Sequence, residues 1–131
     1  IPHRVYGFRR KQRLYDKHLF DRIFGDSNLY SSTEDLYKWD QALRTERLVK
    51  KTTLDEAFSP TPYFKGFLKK NYGFGWHLNK EQQIAFHSGS SGGFRCSIMR
   101  GLDKDNCVVL LTNNEDGCYE NITKTIFDWL D

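Results

Sequence analysis

The sequence predicts an α+β fold: a mostly helical first half, then an antiparallel sheet of about four strands with a C-terminal helix across one face. Three observations lead there. Leu36, Trp39 and Leu43 recur at helical spacing. From Asn71 onward, short aromatic and β-branched runs alternate with clusters of turn-forming residues. The last segment returns to helical spacing with Ile122, Ile126 and Phe127. At 131 residues the chain reads as a single unit, 1–70 mostly helical or irregular and 71–131 sheet plus helix.

The first thirty residues are basic and aromatic without a clean period, and read as extended or irregular chain ending at Gly25-Asp26-Ser27-Asn28. Ser31 and Ser32 can cap a helix, and Glu34 and Asp35 place negative charge in its first turn, so Ser32 to Leu43 is assigned helical. A second short helix is expected over Thr53 to Phe58, stopped by Pro60, with Pro62 to Lys70 as a polar, aromatic connection. Tyr72 to Leu78 and Gln83 to Ser88 read as a hairpin across Asn79-Lys80-Glu81. Phe94 to Arg100 and Cys107 to Thr112 read as another across the turn Gly101 to Asn106. The run CVVLL is almost wholly apolar, which predicts a central strand with both faces covered. Cys118 to Leu130 is then a helix whose stripe of Ile122, Ile126, Phe127, Trp129 and Leu130 should pack on the sheet.

A chain with 15% aromatic residues has the means to bury a core, which excludes a disordered class. The net charge of +3 is small, and its densest cluster, Arg9-Arg10-Lys11-Gln12-Arg13, lies on no periodic face; it reads as a solvated loop, and no nucleic-acid partner is expected. No apolar run approaches the roughly 20 residues that cross a bilayer, so no membrane span is expected. No signal-peptide pattern opens the chain, and a start at Ile1 suggests a processed or trimmed piece of something longer. Cys96, Cys107 and Cys118 are odd in number and fit no C-x-x-C spacing, which points to free, mostly buried thiols and not to a disulfide framework or a zinc site.

The most unusual run is FHSGSSGGFRC, residues 86–96, where small residues follow a histidine. Bare backbone of this kind serves to cradle a phosphate, to let a substrate lie against a strand, or merely to join a strand to a loop. The run leads from one strand into another, and no Gly-Lys-Ser/Thr follows it, so the phosphate reading loses its structural context.

Several stretches together resemble the penicillin-recognising serine hydrolases, the family of class C β-lactamases, DD-peptidases and related esterases. They are GDSNLYSSTEDLYKWDQAL at 25–43, YGFGWHL at 72–78, HSGSSGGF at 87–94 and VVLLTNNED at 108–116, in the family's order and over about three quarters of the chain. The resemblance implies part of a β-lactamase/transpeptidase-like fold and acyl transfer on β-lactam, D-peptide or ester substrates, with no metal or cofactor. It implies that His87, Ser88 and Gly89 form the His-x-Gly version of the family's Lys-Thr-Gly strand. His87 would favour a substrate carboxylate and influence proton transfers, Ser88 would offer a hydroxyl, Gly89 would let the acyl group approach, and the backbone N–H of Ser90 would be one of two oxyanion donors. Relatives of this kind mostly work outside the cytoplasm, which implies a periplasmic or extracellular location.

The chain departs from the family in one respect. No serine or threonine is followed three positions later by lysine, so the Ser-x-x-Lys nucleophile is absent from these residues. Tyr119-Glu120-Asn121 has the letters of the family's Tyr-x-Asn motif, but it follows the His-Ser-Gly strand and lies in the expected last helix, where it is a decoy. The chain therefore reads as the C-terminal half of such a protein, inactive alone, whose partner is the N-terminal half of the same domain. Loss of that half would expose an edge and an apolar surface, so self-association is expected. Two further readings stand beside this one: a non-catalytic relative that binds ligands or peptides in the same cleft, and an unrelated α+β interaction domain. Trp39, Trp76 and Trp129 read as core or interface aromatics, with a cleft position weighed for Trp76. His77, alternating away from Trp76, is expected to be exposed; His3 and His18 have no evident partners; Asn113 and Asn114 are expected to end a strand.

Overall fold

The computed structural model describes residues 2–16, 29–62, 71–116 and 119–130. The first described elements are two short strands, β1 (Phe8–Arg9) and β2 (Arg13–Leu14), paired antiparallel. The basic run is their turn, with Arg10, Lys11 and Gln12 at φ of 20°, 57° and 58°. The sequence gives no sign of this hairpin, because two-residue strands are too short to set a period.

Helix α1 (Thr33–Ala42) matches its expected span to within one residue at each end, and Ser32 Oγ accepts the Asp35 N–H at 3.1 Å as its N-cap. Helix α2 (Lys51–Ala57) begins two residues before the expected Thr53. Its first N–H, on Lys51, is satisfied not by the preceding residue but by Glu46 Oε1 at 2.8 Å.

The main sheet has four antiparallel strands in the order β3 (His77–Asn79), β4 (Ile84–Ser91), β5 (Phe94–Gly101) and β6 (Cys107–Thr112), and helix α3 (Tyr119–Trp129) follows. This is the α+β arrangement expected. Strand β3 is shorter than Tyr72 to Leu78: the Gly73 N–H donates to the Trp76 carbonyl at 2.8 Å and Gly75 sits at φ 75°, which makes a turn of those residues and leaves Tyr72 one isolated bridge to His77. Strand β4 is longer than expected. Its pairing with β5 continues through Gly89↔Cys96, Ser90↔Arg95 and Ser91↔Phe94, so the serine-glycine run is strand. Only Gly92 and Gly93 turn, at φ 53° and 79°, the left-handed pair that a two-residue hairpin needs. A Cβ on Gly93 would stand 2.5 Å from Phe8 N and 2.6 Å from the Tyr15 carbonyl oxygen, because the β1–β2 hairpin rests on this turn.

Two expectations about burial are corrected. Among the described residues, strand β6 is at the end of the sheet order and not at its centre. Its faces are nonetheless both met by helices, α1 and α3, so its apolar run reports the layers above and below it and not its lateral neighbours. On one face Trp76, Leu78 and Ala85 pack with Leu43, Phe58 and Ile98; on the other Ile84 and Val108 pack with Phe127, Phe86 and Met99. On α3, Thr123 and Phe127 are the buried residues, whereas Ile122, Ile126, Trp129 and Leu130 are exposed. At 100° per residue these form two apolar faces, and only one docks on the sheet.

Candidate functional site

Strand alternation sets His87 and Gly89 on one face of β4 and Ser88 and Ser90 on the other. β3 pairs with β4 only from Ile84 to Phe86. From His87 to Ser91 the outer edge of β4 therefore has no neighbouring strand among the described residues. The predicted site residues are thus brought together as an open strand edge, with His87, Ser88 and Gly89 half-buried and Ser90 exposed.

His87 is anchored by a residue the sequence reading did not single out. The Tyr72 hydroxyl lies 2.9 Å from His87 Nε2, and the Tyr72 carbonyl accepts the Thr61 N–H at 2.9 Å. The Tyr72 ring meets His77 edge-on at 4.7 Å, and His77 stacks on Phe86 at 5.2 Å. His77 is consequently half-buried and not exposed as expected, since Tyr72 folds back over it. Tyr72 was visible in the YGFGWHL run, but as an expected strand residue it gave no sign of a contact 15 positions away.

Gly89 has a close neighbour: a Cβ there would stand 2.7 Å from Cys96 Sγ across the strand pair. Cys96 is exposed as a residue, contrary to the buried thiol expected, yet packing of its sulfur pushes the thiol's pKa up, with a backbone hydrogen bond from Gly89 opposing. Trp76 is core, 7% exposed, stacked on Trp39 at 6.0 Å and tilted against Phe58 at 5.5 Å. Trp129 is 78% exposed. Asn113 and Asn114 end β6 as expected, and Asn113 also donates to the Tyr6 carbonyl at 3.0 Å, clasping the N-terminal segment. His3 is exposed, and His18 and Cys118 lie outside the described residues.

Tyr119 and Asn121 are in α3, and the Tyr119 ring lies under the Arg95 guanidinium at 5.7 Å. Arg95 pairs with Ser90 and shares its face, so this Tyr-x-Asn sequence is not beside His87. A cleft of about 400 Å³ lies between α1, α2 and the β5–β6 turn, and no residue of the His-Ser-Gly run lines it. Among the described residues, no three His, Cys, Asp or Glu side chains are grouped to hold a metal, and no helix is long and apolar enough to cross a membrane.

A strand edge led by a tethered histidine and open among the described residues, with helices on both faces of its sheet, agrees with a β-lactamase-like, penicillin-recognising fold. The chain belongs to the Beta-lactamase family, whose sequence model matches residues 2–126. It is 34% identical over 136 residues to penicillin-binding protein 4* of Bacillus subtilis (strain 168), a match that covers 88% of this chain and 29% of that protein. The crystal structure of FmtA from Staphylococcus aureus superposes with a TM-score of 0.77 at 17% identity, covering 96% of this chain and 34% of FmtA, which shows a shared fold. The chain spans about a third of the length of these relatives.

Proposed function

We propose that these residues form one wall of an acyl-transfer site acting on β-lactam, D-peptide or ester substrates, and that the rest of the site comes from an N-terminal half of the same domain. The observation that carries this reading is the edge of β4 from His87 to Ser91, open among the described residues, beside an anchored His87. A substrate lying in the plane of the sheet along that edge can meet both His87 and Ser88, although their side chains point to opposite faces. The Ser90 backbone N–H supplies one oxyanion donor and the nucleophile's own N–H the other. The serine and its base belong to the other half, since no Ser-x-x-Lys occurs in these 131 residues. Two surfaces support such a half: the outer edge of β6, where Leu111 is 38% exposed, and the α3 stripe of Ile122, Ile126 and Trp129. Any location outside the cytoplasm is inherited from this reading.

The test begins with the reading frame upstream of Ile1. Ser-x-x-Lys followed by Tyr-x-Asn is expected there, and the protein carrying both should be acylated by a labelled penicillin or an activated ester, seen as a mass adduct. Replacing that serine with alanine should abolish the adduct, and His87→Ala should slow its formation by about 10²-fold or more. A second reading is a non-catalytic relative that binds ligands in the same cleft. Reversible ligand binding without an adduct, in a protein lacking those upstream motifs, would establish that one instead.

A further inference from the structure

The contact between Tyr72 and His87 is held at both ends. Tyr72 is fixed by the Thr61 N–H and by its bridge to His77, and His77 is wedged between the Tyr72 ring and Phe86. His87 is paired within β4 to Ile98 of β5. The 2.9 Å separation of the phenol oxygen and Nε2 is therefore set by backbone on both sides and not by a loose surface side chain.

We propose that Tyr72 is a positioning residue for the acyl-transfer wall: its hydroxyl donates to His87 Nε2, which places the proton of the neutral imidazole on Nδ1 and fixes the plane of the ring. A neutral imidazole has one donor and one acceptor nitrogen, and the partner of one decides the role of the other. Phenols ordinarily keep their proton well above neutral pH, so the oxygen has one to give. Nδ1–H then becomes the donor presented to the site. When the ring takes a second proton, Nε2–H donates back to the phenol oxygen, so the bond survives both charge states and the ring keeps its orientation while it gains and loses a proton. Phenylalanine at this position can do neither. This inference rests on reading His87 as part of the wall, but its test does not need turnover.

The test is the tautomer of His87 in the nitrogen-labelled chain, read from long-range proton–nitrogen correlation spectra of its four histidines, with His87→Gln to assign the signal. Neutral His87 should be the Nδ1–H form, and Tyr72→Phe should convert it to the Nε2–H form or a mixture, with amide shifts confined to the neighbourhood of residues 72, 77 and 86–88. A native Nε2–H tautomer, or a Tyr72→Phe spectrum with His87 unchanged, would overturn the proposal. Should Tyr72→Phe not fold, the native tautomer decides alone. An Nδ1–H tautomer in a protein that forms no acyl adduct would keep Tyr72 as the positioning residue and remove the catalytic reading of His87, so the two failures are distinct.

Discussion

Asp40 Oδ1 lies 3.0 Å from Arg100 Nε, with the aspartate fully buried and the arginine only 3% exposed. Asp40 Oδ2 also accepts from Arg44 Nε at 3.0 Å, while Arg44 reaches over the β5–β6 turn to the carbonyls of Lys104 at 2.7 Å and Asn106 at 3.0 Å. A single carboxylate on α1 thus ties the helix to β5 directly and, through Arg44, to the β5–β6 turn. The Asp40–Arg100 contact is an ion pair whose alignment falls short of a hydrogen bond, and among the described residues Arg100 Nη1 has no hydrogen-bond partner, so the arginine depends on Asp40 for its charge balance. Burial lowers the Arg100 pKa, and the nearby carboxylate opposes that shift.

Removing that carboxylate should be severe. Asp40→Ala is expected to cost about 3–5 kcal/mol, because it strands a buried guanidinium. Urea unfolding measures it. The double variant Asp40→Leu with Arg100→Met should lose less than Asp40→Ala alone, since no buried charge is then left unpaired.

Cys107 gives a pH dependence. Its thiol is pushed up to about 12, first by burial and then by the neighbouring Asp40 carboxylate. An acid whose folded pKa is raised keeps its proton in the folded state while the unfolded chain loses it. Stability from this group is therefore intact below the ordinary thiol pKa of about 8.5 and declines as pH rises from there toward 12. Stability measured across that window should fall less in Cys107→Ala than in the native chain. Alkylation of native Cys107 at pH 9 should be more than about tenfold slower than in the urea-unfolded chain.

Gly89 and Cys96 should be energetically coupled. A methyl group at Gly89 would meet Cys96 Sγ at 2.7 Å, the movable end of a short side chain. Gly89→Ala is expected to cost about 1–3 kcal/mol in the native background and at least about 0.5 kcal/mol less when Cys96 is alanine. A double-mutant cycle by urea unfolding gives the coupling, and strict additivity would show that the sulfur simply rotates away.

Gly93 and Gly75 share a left-handed backbone, at φ 79° and 75°, but not an environment. Among the described residues nothing lies within 4 Å of the missing Cβ of Gly75, while at Gly93 two backbone atoms lie within 2.6 Å. Gly75→Ala should cost only the conformational penalty of about 1–2 kcal/mol. Gly93→Ala should cost more, about 2–4 kcal/mol, and release the β1–β2 hairpin, seen as faster amide exchange at Phe8.

The exposed stripe on α3 predicts that the chain associates. Light scattering after size exclusion should show species larger than a monomer, and the pair Ile126→Lys with Trp129→Lys should shift the chain toward monomer, because these side chains are 37% and 78% exposed. A native chain that is already monomeric and thermally robust would count against a missing half.

Local signals read well in this sequence. Ser32, Glu34 and Asp35 announced the start of α1, and turn residues located the β3–β4 and β5–β6 hairpins, because caps and turns are decided by neighbours in the chain. Non-local contacts did not read. Nothing near Asp40 in sequence marks it as the partner of Arg100, and Tyr72 looked like one more strand residue until the chain folded it back over His77 onto His87.

The sequence by itself determined the helices and the four strands of the main sheet, their order and the family to which this protein belongs, since capping, turn chemistry and apolar period are properties of short windows; the β1–β2 hairpin was not among them. Only the tertiary structure decided that β6 ends the sheet among the described residues, which of two apolar faces α3 buries, why Gly93 must be bare, and what holds His87. Each of these depends on which distant segment comes to rest alongside. A periodicity can specify that a face is covered, but the identity of what covers it is fixed only when the layers pack.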